Sequence, residues 1–278
     1  MCARQPRPAK IVGVTDLGED AAPAGRLLVE SGEPVAGSMA RSAAGILYGE
    51  GSSRIRLAPE LADCLCRVAG DLAGAALPAR ERMRAGAALA FAIELAATRA
   101  ASGRAGRNDG FFAPDAGRSP ADALAEAVVQ SARRETEEWR VRHVGYLLAE
   151  AAVSPDLDAG VVDRALRTTS ELTGRQLVLL AAVGRRERTP LPMTPLPADP
   201  RGWRAWGALE DVTDLQRRGL LDPPPAQPRP GGAALPRLRM ADLRLTRRGV
   251  LVHRLLALDF VREDAVTAAL ADLDLPRS

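Results

Sequence analysis

Aromatic side chains are nearly absent. They make up 3% of the 278 residues, against an apolar content of 46%. A core of that size is available, but it must be aliphatic. Alanine and leucine supply much of it, and both are strong helix formers, so composition points to a mainly α fold. Lysine is reduced to Lys10. The cationic side is otherwise arginine, a bias that fits GC-rich coding and gives any single surface arginine little weight. Cysteine is limited to Cys2, Cys64 and Cys66. An odd number without framework spacing argues against a disulfide-stapled secreted domain. Cys64 and Cys66 do not face one another on a helix, and no second Cys/His pair completes a four-ligand site. No metal and no cofactor are expected, and the cysteines read as core. Long hydrophobic runs are also missing. The most apolar stretch, Ala85 to Ala101, contains Glu94 and is bounded by Arg84 and Arg99. It falls short of the roughly 20 apolar residues a spanning helix needs and reads as a buried core helix. Residues 1–22 carry no apolar signal-peptide region, so a cytoplasmic protein is expected.

Catalytic motifs are scarce as well. His143 and His253 are the only histidines, and neither stands in a pattern with a nucleophile or a carboxylate. Gly103, Gly106 and Gly110 follow no strand and carry no Lys-Ser/Thr, so they are no phosphate loop. Glu135, Glu137 and Glu138 are expected to form a solvated, ion-paired face. Arg133/Glu137, Arg134/Glu138 and Glu138/Arg142 stand at i,i+4, each pair worth about 0.2–0.5 kcal/mol. No catalytic residue is assigned.

Along the chain, residues 1–22 read as a tail or a short strand at Ile11–Val14. Residues 23–101 read as a helical bundle, with Leu61, Leu65, Val68 and Leu72 on one face and a further helix opening at Pro78. Residues 102–119 have a flexible-linker composition; Phe111-Phe112 within them is either an apolar peg or a partner contact. Residues 120–170 hold a long helix and a helical connector. Ser119 and Pro120 supply its N-cap and first residue, and Ser154-Pro155 stops it. Residues 264–278 read as a C-terminal tail.

Residues 171–263 are the most organised. Thr173-x-x-Gln176 is a capping box opening Leu177–Val183. A second helix, about Trp206 to Arg218, ends at Gly219. Leu220-Leu221 makes a short strand, a Pro/Gly-rich excursion follows, Leu243 and Leu245 alternate as a returning strand would, and Thr246 caps a last helix. Helix, helix, strand, hairpin loop, strand, helix is the winged-helix order. The segment Asp214-Leu215-Gln216-Arg217-Arg218-Gly219-Leu220-Leu221, paired with Leu243-Arg244-Leu245-Thr246-Arg247-Arg248-Gly249, resembles the phrase typical of winged-helix proteins. Upstream, Glu137-Glu138-Trp139, Gly145-Tyr146-Leu147-Leu148-Ala149-Glu150-Ala151 and the capped helix after Leu172-Thr173 are similar to the characteristic stretch of Abi-alpha-type abortive-infection proteins. The family's tryptophan falls at Tyr146 here. That resemblance implies a helical bacterial protein of phage defence, and no catalytic residues.

Charge is uneven. From Arg217 to Arg254 nine arginines stand against Asp222 and Asp242, a candidate footprint for phosphate. In winged-helix regulators the second helix enters the major groove, but here it carries Glu210, Asp211 and Asp214. The expectation is a non-enzymatic adaptor or regulator acting through a protein partner or a homo-oligomer, with contacts at Phe111, Phe112, Trp203 and Trp206. The alternative is a DNA-binding transcriptional regulator, its phosphate contacts at Arg217, Arg218, Arg237, Arg239, Arg244 and Arg247. Core packing competes with partner binding as the role of Trp203 and Trp206.

Overall fold

The computed structural model describes residues 18–49, 57–114, 117–197, 200, 202–223 and 238–273. The Ile11–Val14 run and Arg237 lie outside them. The fold is mainly α-helical, with a single two-stranded ribbon among the described residues.

The first half is built around α5 (Ala79–Ala101), whose middle is buried on every side. Against it pack α1 (Gly18–Glu30), α2 (Glu33–Ala36), α3 (Ser38–Tyr48), α6 (Pro120–Arg134) and α7 (Glu138–Ala152), while α4 (Pro59–Ala73) closes the bundle against α1 and α6. Small residues permit this density. A Cβ on Gly86 of α5 would stand 2.1 Å from the Leu28 carbonyl oxygen, and one on Gly145 of α7 would stand 2.4 Å from that of Ala88. Large side chains there would push the helices apart and void the dispersion contacts that an Ala-rich core depends on. The α1 helix begins inside the stretch read as a tail.

The long helix expected from Pro120 to Val153 is two. It starts as predicted, with Ser119 accepting from the Asp122 amide in a full capping box, then breaks at Glu135, which is extended. No proline or glycine marks the break. Glu135 turns inward to meet Arg140, whose Nη2 also donates to the Thr169 carbonyl at 3.3 Å. The expected i,i+4 pairs give way to tertiary ones: Arg133 reaches Glu81 at 2.6 Å, and Arg140 lies 2.9 Å from Glu135. Residues 102–114 are anchored rather than loose. The Arg107 amide donates to the Ala152 carbonyl and Ala121 to that of Phe111, both at 3.0 Å. Buried Glu150 meanwhile receives Arg99 and Arg104.

After α8 (Ala159–Ser170), the second half opens with α9 (Gly174–Gly184), capped by Thr173 and Gln176 as the sequence predicts. Next comes α10 (Trp203–Arg217), which starts three residues before the expected Trp206. Gly219 adopts φ 66° after it, the left-handed turn that glycine takes without a Cβ penalty. Strands β1 (Leu221–Asp222) and β2 (Arg244–Leu245) pair antiparallel, Leu221 opposite Leu245. Then follows α11 (Arg247–Leu255), capped by Thr246. The chain reverses through Ala257 at φ 47° and ends in α12 (Glu263–Ala271), in the stretch expected to be a tail. Val266 and Ala269 of α12 and Leu273 beyond it are buried, with α12 against α9. One contiguous core joins Leu28 to Leu273, so the two halves share their apolar interior.

Candidate functional site

Most of the arginines picked out as a phosphate surface are already occupied. Arg218 bonds Asp214 and Glu171, each at 2.7 Å. Arg217 lies 3.9 Å from Glu210 and Arg239 the same distance from Asp242. Arg244 donates to the carbonyls of Ala241 and Leu243. Arg247, in the first turn of α11, is exposed and has no ionic partner among the described residues. The acids of α10 are also engaged: Asp211 meets Arg175, and Asp214 accepts from Gln176 at 2.9 Å. Arg218 thus joins the end of α10 to the residue after α8, while Arg217, Arg239, Arg244 and Arg247 stay exposed.

The four aromatic contact candidates divide. Phe111 is 4% exposed, and the Arg107 guanidinium lies 4.2 Å over its ring. Phe111 is the apolar peg, which corrects its assignment as a partner contact. Phe112 packs edge to face against it, half-buried. Trp203 and Trp206 do the opposite. Outside the core, they form the first turn of α10, 87% and 51% exposed, their rings edge to face with centroids 6.2 Å apart. Beside them Arg204 bonds Asp272 at 2.6 Å, which fixes the turn to the end of α12.

A feature the sequence did not reveal lies between the halves. A cleft of about 640 Å³ is bounded by α3 and α5 on one side, α7 at its base, and α9 and α12 on the other. That volume suits a small ligand. Phe91, Trp139, His143 and Phe260 line it. Behind them Tyr146 is the hub of an edge-to-face cluster, its ring 6.2 Å from Phe91, 5.8 Å from His143 and 5.9 Å from Phe260. Arg142 stacks over Phe91 and Tyr146 and donates to the Tyr146 hydroxyl at 2.6 Å, which in turn donates to Glu94 at 3.1 Å. Burial pushes the Tyr146 hydroxyl up to about 12, so it stays a neutral donor. His143 is lowered to about 4, first by burial and further by Arg142 and Arg185. It is neutral at pH 7, and its Nδ1–H donates to the Leu256 carbonyl at 2.7 Å.

The two carboxylates at the mouth come from the helix break. Glu137 is the N-cap of α7 and Glu138 its first residue. Glu137 accepts from Trp139 Nε1 at 3.1 Å and stands so close to Gly174 that a Cβ there would lie 2.1 Å from its Oε2. Phe91, Tyr146 and Phe260 belong to α5, α7 and the turn after α11, too distant in sequence for any periodicity to join them. The rarity of aromatics was the one available signal. Cys64 is fully buried in the core and Cys66 half-buried; burial pushes the Cys64 thiol up to about 12.

The class defined by these features is a mainly α-helical protein whose two halves share a core and enclose an aromatic cleft. No known protein family, curated protein or solved structure matches the chain.

Proposed function

We propose that the chain is a non-enzymatic adaptor or regulator. It works in the cytoplasm through protein contacts made by a winged-helix-like C-terminal unit, in the phage-defence role that the abortive-infection resemblance implies. The exposed pair Trp203 and Trp206 carries this reading. Only three tryptophans occur in the chain, and two of them lie on one helical turn with their rings in solvent. Tryptophan is the side chain most enriched among residues that dominate binding energy at protein interfaces, and a large apolar surface left in water is costly unless a partner covers it. The turn belongs to a regular helix and Arg204 ties it to Asp272, so its backbone is already ordered before docking.

The test compares wild type with a Trp203→Ala/Trp206→Ala variant. Sedimentation over a concentration series reads self-association, and quantitative crosslinking in the producing bacterium reads a foreign partner. One of the two must weaken at least tenfold in the variant while the circular dichroism and melting curve stay unchanged. If both assays are indifferent to the tryptophans, the reading fails. The competing DNA reading draws support from Arg244, Arg247 and Arg248, exposed arginines of the block with no ionic partner among the described residues. It predicts retention on heparin that falls steeply with salt and is abolished by charge reversal at Arg239, Arg244 and Arg247.

A further inference from the structure

From the charge balance and aromatic walls of the cleft, we infer that it is a binding site for a small organic cation with an apolar body, such as an alkylated ammonium. This does not depend on the protein-contact reading. Phe91, Trp139 and Phe260 form its aromatic walls; the Arg142 guanidinium already lies 5.6 Å from the Phe91 ring centroid, and a desolvated ligand cation is drawn to such rings by the same attraction. At its mouth the formal charges do not cancel. Arg175 is matched by Asp211 and Asp272, Arg262 by Asp264 at 3.1 Å, and Arg142 by Glu94 at 3.9 Å. Glu137 and Glu138 have no cationic partner among the described residues. Among the described residues, the one hydrogen bond to either carboxylate is that which Glu137 accepts from the Trp139 indole. His143 is held neutral by burial and adds no positive charge. The residue is two carboxylates on an aromatic, largely apolar cavity. The positive ends of α7 and α9 offset them only in part, at about half a charge each. An anion would meet these carboxylates first; a cation finds a counter-charge and ring faces together. The cavity is also bounded on three sides by helices, which fits a compact ligand better than an extended peptide.

Trp139 makes the site readable. In a Trp203→Phe/Trp206→Phe background it is the only tryptophan, and both replacements fall on exposed positions outside the cleft. Titration of this full-length chain with benzyltrimethylammonium should give a saturable change in Trp139 emission at millimolar concentration. Benzenesulfonate, of similar size and opposite charge, should give none. Glu137→Gln and Glu138→Gln together should weaken the cation about tenfold, roughly 1.4 kcal/mol. Glu126→Gln, a half-exposed acid on α6 paired with Arg118 and outside the cleft, should leave it unchanged. Glu138→Gln alone, at an exposed position, gives a second reading should the double variant fold poorly, with a several-fold loss expected. The inference is overturned if the cation gives no saturable change, if benzenesulfonate binds as well, or if the glutamine variants bind the cation unaltered. Because the background lacks Trp203 and Trp206, failure here is separate from failure of the protein-contact reading.

Discussion

His143 Nδ1 lies 2.7 Å from the carbonyl oxygen of Leu256, a residue 113 positions further along the chain. The bond ties α7 to the end of α11 and so joins the two halves at the base of the cleft. The second histidine stands on the same seam: the His253 ring packs on Gly184 of α9, where a Cβ would fall 2.2 Å from Nε2.

Both histidines are held below their ordinary pKa by burial, His143 at about 4. For His253, burial and Arg185 outweigh the opposing carboxylate of Asp259. A group whose folded pKa is depressed binds its proton more readily in the unfolded chain, so its contribution is complete above the unfolded value near 6.5 and shrinks as pH falls toward the folded one. Stability should fall between about pH 6.5 and pH 4 by up to about 1.4 kcal/mol per pH unit through His143, and His253 adds in the same direction. The lowered carboxylates Asp109, Asp122 and Asp156 act below that window, under pH 4. Urea unfolding at a series of pH values measures this, and His143→Gln should flatten the slope. A free energy constant from pH 7 to 5 would refute it.

Glu150 is buried beneath Arg99 and Arg104. Removing one partner of a buried ion pair leaves the others' charge uncompensated, which costs about 3–5 kcal/mol when all are fully buried. Arg104 is half exposed, so Glu150→Ala should sit near the lower end, about 3 kcal/mol. The segment 102–114, which these arginines help to fasten, should become the first site of limited proteolysis. Unchanged cleavage kinetics would mean that the Arg107 and Phe111 anchors hold it alone.

Gly249 stands in the first turn of α11, where an added Cβ would meet the Leu220 carbonyl oxygen at 2.1 Å. That oxygen also accepts from the Thr246 amide at 3.1 Å, so it cannot retreat without loosening the ribbon. Ordinarily alanine gains about 1 kcal/mol over glycine within a helix. Here the overpacking cost, roughly 1–3 kcal/mol, should win, and Gly249→Ala should lower the denaturation midpoint. A raised midpoint would show the approach of α11 to β1 to be looser than described.

Thr173→Ala removes the side-chain half of the α9 capping box and should cost about 1 kcal/mol. Hydrogen exchange should rise first at the amides of Arg175 and Gln176. A loss confined to distant helices would show the cap to be energetically idle.

Local chemistry made much of the fold legible. Ser119-Pro120 and Thr173-x-x-Gln176 announce their helices because a cap needs only residues a few positions apart. Leu221 and Leu245 pair as the alternation around Gly219 and Leu243 anticipates. The aromatic cleft was not legible. Phe91, Trp139 and Phe260 each sit in an unremarkable local context, and only packing of α5, α7 and the turn after α11 brings them together. The run of arginines is visible in the chain and so are most of its acidic partners, since Arg217, Arg218 and Arg239 meet Glu210, Asp214 and Asp242 nearby in sequence; only the contact of Arg218 with Glu171 needed the fold.

The sequence by itself determined helix content, most helix starts and the ribbon, since propensity, capping and turn geometry act within a few residues. Tertiary structure alone decided the break at Glu135, the docking of α12, the burial of Phe111 against the exposure of Trp203, and the cleft. At the break and at α12 long-range contacts outweighed local preference: Arg140, held by Glu135, donates to the Thr169 carbonyl, and Val266 is buried where α12 meets α9, each worth more than the turn of helix or the freedom of a tail that it replaces.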